Sequence, residues 1–140
     1  MVGPVAKVDR ATLPQRANLH WLGGQPYSRL PAMTKGFSVC LMPFALNAST
    51  EFINPTKALE YMATGRPIVS SAVADVVRNF GEVVKIGKTP EEFVELSRQA
   101  AEQPDPAAIE RGFKMVEANS WERIVADLEK HVEQGLKARV

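Results

Sequence analysis

The chain has 140 residues, with 17 Lys and Arg against 16 Asp and Glu and a formal net charge of +1. That balance gives no electrostatic case for binding nucleic acid or an acidic membrane. Hydrophobic residues make up 45% and charged residues 24%, the make-up of an ordinary globular protein with one real core but not two. A single cysteine, Cys40, excludes an internal disulfide and any cysteine-based metal cluster, and the two distant histidines, His20 and His131, do not suggest a metal site.

Met1 to Val5 reads as the tail of a strand whose beginning is missing, which points to a piece of a longer protein. Leu19 to Leu22 reads as a short strand stopped by Gly23-Gly24, and Ser28 to Lys35 as a helix with Ser28 as cap. Phe37 to Met42 is a buried strand ended by Pro43, with Cys40 as a small core residue. Phe44 to Ile53 is a loop. Asn54-Pro55 then opens a helix, with asparagine as N-cap and proline in the first turn; Gly65 and Pro67 close it. Pro67 to Ser70 is the next strand, Ala74 to Asn79 a short helix, and Val83 to Ile86 a further strand.

From there the chain is only helical. Thr89 and Glu92 have capping-box spacing and start a helix to about Gln103. Asp105-Pro106 starts another to about Ala118, and Ser120 caps a last one from Trp121 to about Lys137, with Trp21 and Trp121 expected as packing residues. Alternating strands and helices to residue ~87 indicate an α/β fold with a parallel sheet between helices. The longest apolar stretch, Phe37 to Leu46, is broken by Pro43 and too short to cross a bilayer. With no signal-peptide pattern, the expected location is cytoplasmic.

The helix after Asn54 carries the chemistry. At 100° per residue, Pro55, Ala58, Leu59, Met62 and Ala63 gather on one face and Thr56, Lys57, Glu60 and Thr64 on the other. Helix-start N–H groups attract an anion, Lys57 can place an ammonium on a phosphate, and Glu60, one turn deeper, can accept from vicinal hydroxyls. Lys57 and Glu60, three apart, could equally pair with each other on a solvated face. Ser70 and Ser71 have no histidine or aspartate placed to activate them. Tyr27 could stack on a base or cap the core of its loop.

Three phrases add a resemblance. Asn18-Leu19-His20-Trp21-Leu22-Gly23, the run Phe37 to Pro43, and above all Asn54-Pro55-Thr56-Lys57 through Glu60-Tyr61-Met62-Ala63 to Gly65-Arg66-Pro67-Ile68-Val69-Ser70 resemble the C-terminal half of retaining GT-B glycosyltransferases of group 1. The resemblance covers Asn18 to about Glu92. It implies a Rossmann-like parallel sheet flanked by helices, an incomplete GT-B C-terminal domain over residues 1–140, a helical C-terminal tail, and no N-terminal acceptor domain. It implies a UDP- or GDP-linked sugar as donor, transfer with retention, and no metal or other cofactor. Glu60 would hold the donor ribose, and Asn54, Pro55, Thr56 and Lys57 the diphosphate. Gly23, Gly24, Tyr27, Glu51 and Phe52 would lie near the base or sugar. No residue of the chain is assigned to catalysis.

The chain departs from the family pattern at the first of its paired glutamates. Eight positions before Glu60 stands Phe52, with Glu51 one place away. The resemblance also implies that the missing half is a partner, that the intact enzyme associates with membranes peripherally, and that this piece alone is inactive. Exposed strand edges invite a homodimer. The competing expectation is a non-catalytic flavodoxin-like interaction or assembly module.

Overall fold

The structure, a computed structural model, describes residues 1–137. The chain divides into two compact units, Met1–Gly36 and the remainder from Phe37 onward.

In the first unit, the backbone of Met1–Gly3 runs parallel to that of His20–Gly23. The terminal ammonium donates to the His20 carbonyl at 2.7 Å, the Leu22 N–H to Met1 at 2.9 Å and the Gly3 N–H to Gly23 at 2.8 Å. The expected strand Leu19 to Leu22 is therefore an extended, briefly paired segment and not a regular strand. Gly23 leaves it with φ +67. The expected Ser28 cap is not formed. A 3-10 turn over Tyr27–Arg29 leads into α1, Leu30–Lys35, with no side-chain cap on either. Pro31 accounts for this: its ring lacks the N–H that an α-turn from Tyr27 would use, so the tighter turn comes first.

The second unit holds a three-stranded parallel sheet in the order β1 (Cys40–Met42), β2 (Ile68–Ser71), β3 (Lys85–Gly87). Cys40 pairs with Ile68 and Val69 with Lys85. β1 starts three residues later than expected because Val39 would face Pro67, which has no N–H to give; Pro67 only accepts, from the Cys40 N–H at 2.9 Å. β3 begins at Lys85, not Val83, since the Val83 and Val84 N–H groups both bond back to Phe80 and close the preceding helix.

Ile68, Val69 and Ser70 of the central strand β2 are all buried, so both faces are covered there, while Leu41 of β1 is exposed. On one side a core of Cys40, Met42, Ala58, Met62, Ile68, Val73, Val76, Phe80 and Val84 joins the sheet to α2 (Lys57–Met62) and α3 (Ala74–Phe80). α5 (Pro106–Ala118) packs over α2. Val69 points the other way, and α4 (Pro90–Glu102) lies against β2 and β3 with Ala100 fully buried. The result is an α/β, Rossmann-like sheet flanked by helices.

α4 and α5 start as their sequences indicate. The Thr89 hydroxyl accepts from the Glu92 N–H at 3.2 Å, and Asp105 from Ala107 and Ala108. The Glu92 carboxylate accepts from Lys88, one residue upstream of the capping-box partner. α6 (Trp121–Lys137) buries no residue. Trp121 is 78% exposed, so it is not the packing residue expected, and Val125, Leu128, Val132 and Leu136 are exposed with it. Among the described residues no helix is long and apolar enough to cross a membrane.

Two outcomes follow from this packing. A Cβ on Gly87 would stand 2.6 Å from the Phe93 Cα, where α4 meets the end of β3. Gly87→Ala is expected to lower unfolding stability by about 2–3 kcal/mol, read as a drop in the urea midpoint, while Gly24→Ala, with open space around it, changes it by less than ~0.5 kcal/mol. Burial pushes the Cys40 thiol up to about 11, against smaller lowering by the Thr64 hydroxyl and Arg66. Its native pKa lies above the 9.0 of the free group, so the linked stability is full below pH ~9 and is lost as the pH climbs through ~11. At pH 8 the native thiol should react with iodoacetamide about a hundredfold more slowly than in urea; equal rates would contradict the burial.

Candidate functional site

The C-terminal edge of an open parallel sheet is where ligands bind in such folds. Here that edge is formed by the chain leaving β1 at Pro43 and leaving β2 at Ser71. The Ser71 hydroxyl donates to the Phe44 carbonyl at 2.7 Å, joining the two exits. The Ser70 hydroxyl, fully buried, donates to the Ser71 carbonyl at 2.9 Å. Both hydroxyls donate to backbone carbonyls. Sequence reading dismissed them as chemistry and so missed their role as a clip.

Residues 43–56 leave β1 and return to α2. A turn at Asn47–Thr50 braces this loop. The Asn47 side chain accepts from the Ser49 N–H at 2.9 Å, and the Thr50 hydroxyl accepts from the Asn47 N–H at 3.1 Å while donating to the Ala45 carbonyl. The Asn-x-x-Thr spelling of the turn is legible in the sequence. Phe44 and Ile53 pack against the core from either end of the loop.

α2 departs from expectation at its start. Asn54 is not the N-cap. Thr56 occupies that position, makes no side-chain cap bond, and the regular helix is only Lys57–Met62. The first turn is wound tightly, with the Thr56 N–H on the Asn54 carbonyl at 2.9 Å and the Ala58 N–H on Pro55 at 2.9 Å. Pro55 is buried, which pulls this entry into the core. The expected row of backbone donors for an anion is therefore largely engaged or absent, and a six-residue helix has little macrodipole. The helix ends as expected, with Gly65 at φ +69, a conformation glycine adopts without strain.

The side chains follow the predicted faces with two exceptions. Ala58 and Met62 are fully buried and Leu59 half-buried, while Thr56, Lys57 and Glu60 are exposed together. Ala63, expected inward, is exposed, and Tyr61 and Thr64 are half-buried instead. Burial raises the Tyr61 phenol above its ordinary value, helped by neighbouring Cys40 and Glu60.

Thus Asn54, Thr56, Lys57 and Glu60 are exposed at the entry and outer face of α2, with Glu51 and Phe52 just upstream on the braced loop, both exposed, while Pro55, expected at the same phosphate, is buried and turned away from them. Gly23, Gly24 and Tyr27 belong to the first unit; there Gly23 and Gly24 have open space around them and Tyr27 is 74% exposed, so it does not cap its loop. A narrow crevice lined by Met62, Arg66, Ile68, Lys85, Asp105 and Ile109 among others lies at the opposite, N-terminal ends of β2 and β3 and includes none of the predicted site residues. Among the described residues no cluster of three or more His, Cys, Asp or Glu is placed to hold a metal.

Comparison with known proteins adds one positive finding. A family model described as Glycosyl transferases group 1 matches residues 1–103. No curated protein and no solved structure matches the chain. The matched span takes in the whole sheet, α2 and the loop before it. The chain belongs to the group 1 glycosyl transferases, as a GT-B C-terminal-type domain.

Proposed function

We propose that this domain binds the donor, a nucleotide-diphosphate sugar, for transfer to an acceptor with retention at the anomeric carbon. The observation that carries the reading is the shared exposure of Lys57 and Glu60 on the outer face of α2, beside the chain leaving β1, in a group 1 glycosyl transferase. Lys57 neutralises the diphosphate, the leaving group whose negative charge grows as the glycosidic bond breaks. Asn54 and Thr56 add polar contacts to the same phosphates. Glu60 accepts from ribose hydroxyls; hydrogen bonds to a charged group contribute about 1.5–3 kcal/mol.

With the helix dipole small, the ammonium of Lys57 supplies most of the fixed positive charge in this assignment. The domain's contribution to rate is then orientation of the donor and stabilisation of the departing diphosphate. The acceptor is held by a second half of the enzyme. UDP and GDP are the nucleotides to try.

Calorimetric titration checks the assignment. Lys57→Ala is expected to weaken UDP or GDP about tenfold and to leave the parent nucleoside unchanged, whereas Glu60→Gln weakens diphosphate and nucleoside alike by about five- to tenfold. Affinities identical to wild type in both variants would remove the site from this face of α2.

A further inference from the structure

α6 carries an ordered apolar stripe that its own unit leaves uncovered. At 100° per residue, Trp121, Ile124, Val125, Leu128, Val132 and Leu136 fall within a sector of about 120°. Leu128, Val132 and Leu136 are 60–62% exposed. Ala126, on the opposite face, is the one residue of α6 that is even half-buried, so the stripe is not the side that meets the rest of the unit. A contiguous apolar patch of this extent marks an interaction surface. A 17-residue helix that buries no side chain also draws no support from packing, and helices of that length are marginal alone in water.

The charges beside the stripe decide what it suits. Glu122, Glu129 and Glu133 run along one edge, while Arg123, Lys130 and Lys137 lie on the opposite face. Lys130 is paired there with Asp127 at 2.9 Å. Among the described residues none of the three glutamates is in an ion pair. A helix that lies on lipid carries Lys and Arg where its apolar face meets the headgroups; here that edge is acidic.

A second copy of the chain is also a poor match. Trp121, Val125, Leu128 and Val132 are spaced four, three and four apart, a heptad seam. Two copies of α6 laid antiparallel bury all four residues of each seam when Trp121 stacks on Val132 and Val125 on Leu128. That register sets Glu122 of one copy beside Glu129 of the other, twice, and the like charges repel. A parallel pair sets Glu129 against Ile124, a charge against an apolar side chain. The seam is built to pair, and its acidic edge selects against itself.

We propose that α6 is a docking helix for a different protein, whose apolar groove is rimmed by Lys or Arg opposite Glu122, Glu129 and Glu133. Ion pairs along that edge replace the repulsion between copies and fix the orientation of the partner, while the stripe supplies the buried area.

A partner of this chemistry can be made from the chain itself. With Glu122→Lys and Glu129→Lys it keeps the apolar seam and turns the edge basic. Circular dichroism confirms that this variant folds, and sedimentation with one chain fluorescently labelled follows wild type, the variant and their mixture. The mixed pair is expected to be about tenfold tighter than either chain with itself, to weaken in about 0.5 M NaCl, and to vanish when the wild-type chain carries Leu128→Gln. Absence of a mixed pair overturns the proposal, as does a mixed pair that survives Leu128→Gln and so forms on another surface. Self-association of wild type as tight as the mixed pair, lost with Leu128→Gln, would make a second copy the occupant instead. Co-sedimentation with phosphatidylglycerol or phosphatidylcholine vesicles, lost in the same variant, would make it lipid.

Discussion

The seating of α2 on the sheet is the constraint on which the site depends. Lys57 and Glu60 can face solvent only because Ala58 and Met62, one and two residues away from them, are pressed into the core between β1 and β2. Fully burying one side chain of the size of Met62 stabilises by about 1.5–3 kcal/mol, several times the few tenths that an exposed Lys–Glu pair at this spacing could contribute. Apolar burial therefore decides which way the helix is rolled, and the charged residues occupy the face that remains. Six residues of helix with an uncapped start would not persist alone in water; packing holds it.

The same comparison of magnitudes applies to the loop that feeds α2. Ordering backbone costs about 1–2 kcal/mol per residue, while a neutral hydrogen bond returns about 0.5–1.5 net. The clip from Ser71 to Phe44 and the turn at Asn47–Thr50 cannot hold residues 43–56 in place by themselves. Phe44 and Ile53, packed on the core, and buried Pro55 give the necessary hydrophobic contribution. The hydrogen bonds then choose one geometry among those the anchors allow. In this division of labour the sequence uses apolar residues for position and Ser, Asn and Thr for shape.

Much of this was legible residue by residue. The alternation of elements, the apolar face of α2, the stop at Gly65 and the starts of α4 and α5 all follow from local chemistry: a period, a positive φ, a cap. Three of the misreadings share one cause, which is that proline acts on its neighbours as well as on itself. Pro67 shortens β1 through the strand across from it, Pro31 delays α1 through the turn behind it, and Pro55 is drawn into the core so that Asn54 loses the capping position. None of these can be read from the proline's own position without knowing what it faces. The Ser71 clip was invisible for a related reason, since Phe44 is 27 residues away in the chain. Trp121 failed differently: its size suggested packing, yet nothing described in its own unit covers that face of α6.

Exposure also sets how strongly the proposed site can act. Two unit charges 4 Å apart attract by about 1 kcal/mol in bulk water and about four times more at an effective dielectric of 20. Lys57, open to solvent on α2, stands near the first limit, where salt screens it within about 10 Å at 0.1 M. An ammonium in that setting can recognise a diphosphate but does little to stabilise the charge that builds as the sugar leaves. The second limit is reached only when the entry is covered and water excluded, as a facing half of the enzyme would do. Under the proposed assignment, the domain's own surface would govern which donor is held, and closure over Lys57 how fast it reacts.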